Sequence, residues 1–197
     1  MDEQGLIQEA KNGDINSYNR LVLHYQGLVY NVTYRIMGEP QAAEDATQEA
    51  FISAYKALNR FRGGSFKSWL MRIATNACYD ELRRRKRRPQ SSLDELTEDN
   101  ESSAFLHSPG EGPEGQQQQM ELMRAIENCL QTLPDEQRVT AVLGDVEGYD
   151  YKEISDMTHV SLGTVKSRMS RARSKLRDCL QGYKELLPLS YRLMGSA

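Results

Sequence analysis

Apolar side chains recur at intervals of three and four along nearly the whole chain, with helix-style punctuation between the runs, and this period predicts an all-α protein. Asp14 can cap a helix running to about Met37, where Gly38 stops it and Pro40 is placed to open the next, which continues to about Leu58. Asn59 to Gly64 then reads as a loop. Ser65 can cap a long helix through Arg88, and Pro89 closes it because the residue before a proline avoids the helical region. Residues 90–119 break the pattern. They are rich in Ser, Glu, Asp, Gly, Pro and Gln, and Leu93, Leu96, Phe105 and Leu106 are too few to offset the entropy of ordering. The pattern therefore predicts two small helical domains joined by a flexible linker, with helices resuming near Met120 and Pro134 opening another.

The same 100° steps sort the faces of each helix. Between Pro40 and Leu58, Ala43, Ala46, Ala50, Ala54 and Ala57 turn inward, while Asp45, Gln48, Glu49, Ile52 and Lys56 turn outward. An exposed isoleucine among acids suits docking on a basic protein surface; the plainer alternative is a solvated face. Between Ser65 and Arg88, Phe66, Trp69, Leu70, Ile73, Ala74 and Ala77 face the core, which makes Trp69 a packing residue rather than a platform for a base. Arg72, Asn76, Tyr79, Arg83 and Lys86 align on the other side. Cations for phosphates, a ring for stacking and an amide for base edges are what single-stranded DNA binding requires. A helix end that merely complements its dipole is the alternative, but the six consecutive cations Arg83–Arg88 exceed that need. The preceding loop, Arg60, Phe61, Arg62, Gly63, Gly64 and Ser65, has the cations, aromatic ring and permissive glycines to hold an unstacked base.

Near the other end, Tyr151–Met157, a turn at His159–Ser161 and a helix from Leu162 to Leu180 read as a helix-turn-helix. Val165, Met169, Ala172 and Leu176 anchor the second helix, which turns Thr164, Lys166, Ser167, Ser170 and Arg171 outward, where a recognition helix meets base edges and phosphates. Arg168, Arg173, Lys175 and Arg177 add flanking charge. No acid occurs between Met157 and Arg177, so the charge is sorted rather than random. His159 stands where such turns usually take glycine, in a backbone conformation that histidine tolerates better than most residues.

Charge is also sorted along the chain. Residues 1–88 carry 14 Lys/Arg against 10 Asp/Glu, residues 89–119 none against 7, and residues 120–182 carry 9 against 10, so the net charge of -3 hides an acidic middle. An acidic whole argues against gripping DNA by bulk charge alone. Cys78, Cys129 and Cys179, an odd number without Cys-x-x-Cys spacing, read as buried thiols of a reducing, cytoplasmic compartment. No signal sequence or membrane-spanning run is expected, and neither a metal site, a cofactor loop nor a catalytic constellation.

Three segments in order carry a resemblance: Ala43–Leu58; Phe61–Asn76 with Asp80–Lys86; and Leu133–Arg138 through Val165–Arg173. Together they resemble an extracytoplasmic-function sigma factor, the compact bacterial class with only the σ2 and σ4 domains, over roughly Leu6 to Leu180. The resemblance implies a σ2-like domain at 1–88, an acidic linker at 89–119, a σ4-like domain at 120–182 and an unassigned tail at 183–197. It implies that Asp45, Gln48, Glu49 and Ile52 dock on the β′ clamp helices of core RNA polymerase, whose β subunit is also a partner. The Arg60–Ser65 loop would capture a flipped base of the -10 element, and Arg72, Asn76, Tyr79 and Arg83 would track the separated strand. Thr164, Lys166, Ser167, Ser170 and Arg171 would read the -35 element as duplex. An anti-sigma factor is a further implied partner. His159 and the tail, with its apolar Leu186–Tyr191, depart from the family pattern. The rival reading is a stand-alone helix-turn-helix regulator that binds duplex DNA by itself; it leaves the Arg72–Lys86 stripe and Ile52 without a purpose.

Overall fold

The computed structural model describes residues 1–87 and 113–187, without the side chains of 113–116, and among them the regular secondary structure is helix without strands. Helices α1 (Glu3–Lys11), α2 (Ile15–Met37), α3 (Pro40–Ala57) and α4 (Phe66–Arg87) form the first unit. Helices α5 (Pro113–Gln131), α6 (Asp135–Ala141), α7 (Tyr151–Thr158) and α8 (Leu162–Leu180) form the second. Local chemistry sets the boundaries. Asp14 accepts the Asn16 amide at 3.0 Å, Gly38 takes a left-handed φ of 74° that ends α2, Pro40 opens α3, and Ser65 accepts the Ser68 amide at 3.1 Å. Asp2, unassigned by pattern, caps α1 by accepting the Gly5 amide at 3.0 Å. Helix α5 starts at Pro113, so residues 113–119 of the expected linker are helical; a proline in the first turn followed by a glutamine run suits helix better than coil. The rest of that linker, with Arg88 and Pro89, lies outside the described residues, as do residues 188–197 of the tail.

In the first unit α3 lies against α2 and α4 through Ala42, Ala46, Ala50 and Ala54, whose small side chains let the backbones approach. Leu21, Val29, Val32 and Ile36 of α2 and Leu70, Met71, Ala74 and Cys78 of α4 fill the space between. Phe61 belongs to this core. Its ring is 7% exposed, 5.5 Å from Phe66 and 5.2 Å from Trp69 between centroids, and its carbonyl accepts a hydrogen bond from Lys11 Nζ at 2.5 Å. Burial pushes the free Cys78 thiol up to about 12.

In the second unit Leu130, Leu133, Val139, Leu143 and Ile154 surround the apolar stripe of α8 formed by Val165, Met169 and Ala172. Cys129 of α5 and Cys179 of α8 are joined by a disulfide with a Cα–Cα distance of 5.7 Å, which corrects the expectation of three thiols. Fifty positions separate them, and only the packing of α5 beside α8 brings them together. Arg138, 6% exposed, donates to the carbonyls of Gln131 and Leu133 at 3.3 Å and to Asp135 Oδ1 at 2.7 Å, so it satisfies the end of α5 and the start of α6 at once.

The two units share one continuous apolar cluster. Helix α2 meets α5 and α6, and α4 meets α7. Gln131 Nε2 donates to the Arg35 carbonyl at 2.9 Å; a side chain at Gly38 would collide with the Gln131 carboxamide. Arg35 Nη1 is 3.8 Å from Glu147 Oε1, Lys86 Nζ is 2.8 Å from Asp135 Oδ2, and Lys67 Nζ sits over the Tyr149 ring at 5.7 Å. Burial raises the Glu147 carboxyl pKa, and Arg35 and Lys67 oppose that shift.

Two expectations follow for stability. Phe61→Ala loses about 3 kcal/mol or more, as for other buried aromatics, whereas Arg60→Ala and Arg62→Ala stay within about 0.5 kcal/mol of wild type in urea unfolding. Reduction of Cys129–Cys179, or Cys129→Ser, removes a cross-link spanning 50 positions and costs up to about 4 kcal/mol, read as a lower thermal midpoint in dithiothreitol that Cys179→Ser reproduces.

Candidate nucleic-acid and protein interfaces

The outward face of α3 carries Asp45, Gln48, Glu49 and Ile52, all exposed, with the isoleucine 48% accessible. Five buried alanines, Ala42, Ala43, Ala46, Ala50 and Ala54, fix the helix's rotation, so this display is a direct consequence of the core. Glu49 accepts from Ser53 Oγ at 3.0 Å and Asp45 from Gln41 Nε2 at 3.3 Å, intrahelical bonds that leave both carboxylates facing solvent. Tyr55, 42% exposed, lies one turn from Ile52 and extends the apolar spot, an addition the sequence reading missed for want of a contrast between Tyr55 and other surface tyrosines. The patch has the character of a protein-docking surface: an apolar centre within a negative rim.

In the loop after α3, Arg60, Arg62, Gly63, Gly64 and Ser65 are exposed, and Gly63 and Gly64 have positive φ of 100° and 87°. The loop can therefore offer cations and backbone to a ligand. Phe61 differs from its neighbours in being buried, with its ring in the aromatic cluster of Phe66 and Trp69. The alternation of Arg60, Phe61 and Arg62 is the signal that could have found this, since a single apolar residue between exposed cations at a turn is an anchor as readily as a platform.

Along α4 the structure places Arg72, Asn76, Tyr79 and Arg83 on one face, as their spacing requires. They are not equally accessible. Arg72 and Arg83 are exposed, whereas Asn76 and Tyr79 are half-buried and line a crevice shared with residues of the second unit. The Tyr79 hydroxyl is buried without a hydrogen-bond partner, and burial pushes it up to about 12 while Arg168 pulls the other way. A crevice of about 580 Å³ separates the units here, and Asn76, Tyr79, Arg83 and Lys86 face Asp135, His159 and Arg168 across it.

The helix-turn-helix is formed by α7 and α8. Asp150 caps α7 with a reciprocal bond from Glu153, His159 takes the left-handed conformation at φ 56°, and Ser161 caps α8 by accepting the Thr164 amide at 3.2 Å. Lys166, Ser167, Ser170 and Arg171 are exposed on one side of α8. Thr164 is half-buried and its hydroxyl is 2.9 Å from that of Ser161, so it contributes to the cap as well as to the surface. Arg173, grouped with the flanking cations, is held by Asp145 at 2.6 Å, and Arg168 faces the crevice. Among the described residues no cluster of His, Cys, Asp and Glu could hold a metal, and no helix is long and apolar enough to cross a membrane.

Comparison with known proteins matches both units. The family model for Sigma-70 region 2 covers residues 21–88, and that for Sigma-70 region 4 covers residues 123–176. The chain is 37% identical over 182 residues to the RNA polymerase sigma-H factor of Pseudomonas aeruginosa, covering 91% of this chain and 94% of that one. It is 34% identical over 183 residues to the ECF RNA polymerase sigma-E factor of Escherichia coli K12, covering 92% and 95%. Among solved structures, the sigma factor RpoE of Bartonella quintana in complex with the anti-sigma factor NepR aligns with a TM-score of 0.64 at 21% identity, covering 85% of this chain and 98% of that one. CnrH in complex with the cytosolic domain of CnrY aligns at 0.61 and 23% identity, covering 92% and 99%. The chain belongs to the extracytoplasmic-function class of the sigma-70 family of RNA polymerase sigma factors.

Proposed function

We propose that this chain directs core RNA polymerase to promoters by dividing the work between its two helical units, acting in the cytoplasm. Residues 1–88 dock on the polymerase through Asp45, Gln48, Glu49 and Ile52, and hold the opened -10 region through Arg60, Arg62, Gly63, Gly64, Ser65, Arg72, Asn76, Tyr79 and Arg83. Residues 120–182 read the -35 element as duplex through Thr164, Lys166, Ser167, Ser170 and Arg171, and residues 89–119 join the two. The observation that carries this reading is the co-existence, on one sigma-family chain, of an apolar spot in an acidic rim on α3 and two separate cationic helical faces on α4 and α8.

Magnitudes make the polymerase an obligate partner. Opening about ten base-pair steps costs on the order of 14 kcal/mol at about 1.4 each. Stacking a base on a surface of this kind returns about 1–3 kcal/mol. The chain therefore selects and traps an opening made by the whole assembly. The family assignment favours this over a stand-alone regulator, which would need to hold duplex DNA unaided. An anti-sigma factor is a further proposed partner, since the aligned sigma factor RpoE of Bartonella quintana is bound to one.

Abortive transcription with core polymerase separates the roles. Ile52→Arg is expected to weaken holoenzyme assembly by about 30-fold, the loss of one central apolar contact. Arg171→Ala is expected to assemble normally and to lose about tenfold in promoter affinity, confined to templates that carry the -35 element. Equal assembly by the two variants would contradict the division.

A further inference from the structure

We propose that Gly163 sets how closely α8 approaches the promoter: its bare α-carbon is where the helix touches the -35 duplex, and the DNA rather than the fold keeps this position free of a side chain. The inference rests on the functional reading above and adds a residue to it.

The fold has no use for a glycine here. Gly13, Gly38, Gly63, Gly64 and Gly148 take a positive φ, and a Cβ at Gly5 or Gly144 would collide with the Asp2 or Met169 side chain. Gly163 is unlike them. It is exposed, lies within α8 without a positive φ, and a Cβ built on it would meet, beyond its own helical turn, only Ser161 Oγ at 3.8 Å, an ordinary contact. Within a helix glycine is less favourable than alanine, because the unfolded chain has more freedom to lose there. Gly163 therefore weakens α8 with no compensation from the protein itself.

Nor does the position act as a hinge. Ser161 accepts the Thr164 amide on its hydroxyl at 3.2 Å and the Val165 amide on its carbonyl at 3.0 Å, so the turn is closed around Gly163. Val165, two residues on, is fully buried and holds that turn against the core.

Placement on the helix supplies the reason. At about 100° per residue, the mean direction of Lys166, Ser167, Ser170 and Arg171 falls within roughly 10° of that of Gly163. Gly163 is thus at the centre of the face assigned to the -35 element, at the end of α8 that leads into the groove. Space there is short. A helix with its side chains is about 10–12 Å across, and the major groove is about 12 Å wide. A methyl group at the leading centre of that face projects about 1.5 Å, and unlike the long side chains of Lys166 and Arg171 it cannot swing aside. It would hold the helix away from the bases and lengthen every contact behind it. Gly27 in α2 has equally open surroundings but belongs to the first unit, which makes it a matched control.

The test uses holoenzyme assembled from the full chain and core polymerase, with fluorescence anisotropy for DNA binding. The probe is a fluorescein-labelled promoter duplex enriched by wild-type holoenzyme from a pool randomised across the -35 region, and its reference is the same duplex with that region scrambled. Gly163→Ala is expected to raise the thermal midpoint of the free chain by about 1–2 °C and yet to weaken binding of the enriched duplex about tenfold, with the scrambled duplex unaffected. Gly163→Leu, a larger group of comparable helix propensity, is expected to weaken it about 100-fold. Gly27→Ala gives the same gain in midpoint with unaltered binding of both duplexes. If the pool yields no enriched sequence, or Arg171→Ala binds the enriched duplex as wild type does, the assignment of α8 to the -35 element fails. If Arg171→Ala loses about tenfold while Gly163→Ala stays within about twofold of wild type, or Gly163→Leu binds no more weakly than Gly163→Ala, only the present inference fails. A lowered midpoint in Gly163→Ala, which would mean that the fold itself needs the glycine, overturns it too, and so do equal losses on the two duplexes.

Discussion

A helix cannot choose its two faces independently. Once the apolar stripe of α4 is committed to the core at Leu70, Ala74 and Cys78, rotation and rise fix where Arg72, Asn76, Tyr79 and Arg83 must point. The same coupling holds α8, where Val165, Met169 and Ala172 lock the orientation of Lys166, Ser167, Ser170 and Arg171, and α3, where the alanines turn Ile52 outward. Each of these three helical surfaces is thus the reverse side of a packed stripe. Displacement of one of these outward side chains would require repacking of the core beneath it.

That coupling explains what could be read from the sequence. Helix boundaries were legible because their determinants are local: Asp14, Gly38, Pro40, Ser65 and Ser161 each act within a few residues, and His159 takes the positive φ that its place in the turn demands. Faces were legible because period fixes them. Phe61, the Cys129–Cys179 pair and Arg138 were not, since each is decided by a partner distant in sequence or by a fold of the chain around it. The seam between the units was the least legible feature of all. Nothing in the order of residues distinguishes the Asp135 that neutralises Lys86 from an ordinary acid in a first helical turn, where a carboxylate is favoured anyway.

Two kinds of contact therefore coexist in one molecule, and they differ in how much they give up when broken. The stripes within each unit are dry and closely packed, and Arg138 or Phe61 cannot leave without exposing what they satisfy. The seam mixes a shared apolar cluster with charged pairs at its edge and an open crevice beside Tyr79. Charged pairs that solvent can reach contribute little, about 0–1 kcal/mol each, and Lys86 is one of these, with its side chain 68% exposed. Arg35 and Glu147, at 13% and 9%, are not, so loss of either partner would leave a charge largely shielded from water.

His159 can be understood in the same terms. A non-glycine residue in the left-handed region costs on the order of 1 kcal/mol, and the turn between α7 and α8 would accept glycine without that penalty. His159 also lines the crevice opposite Asn76 and Tyr79, so the turn that holds it is part of the place where the helix-turn-helix meets α4. A departure that looks anomalous within the second unit alone becomes intelligible once the first unit is set beside it.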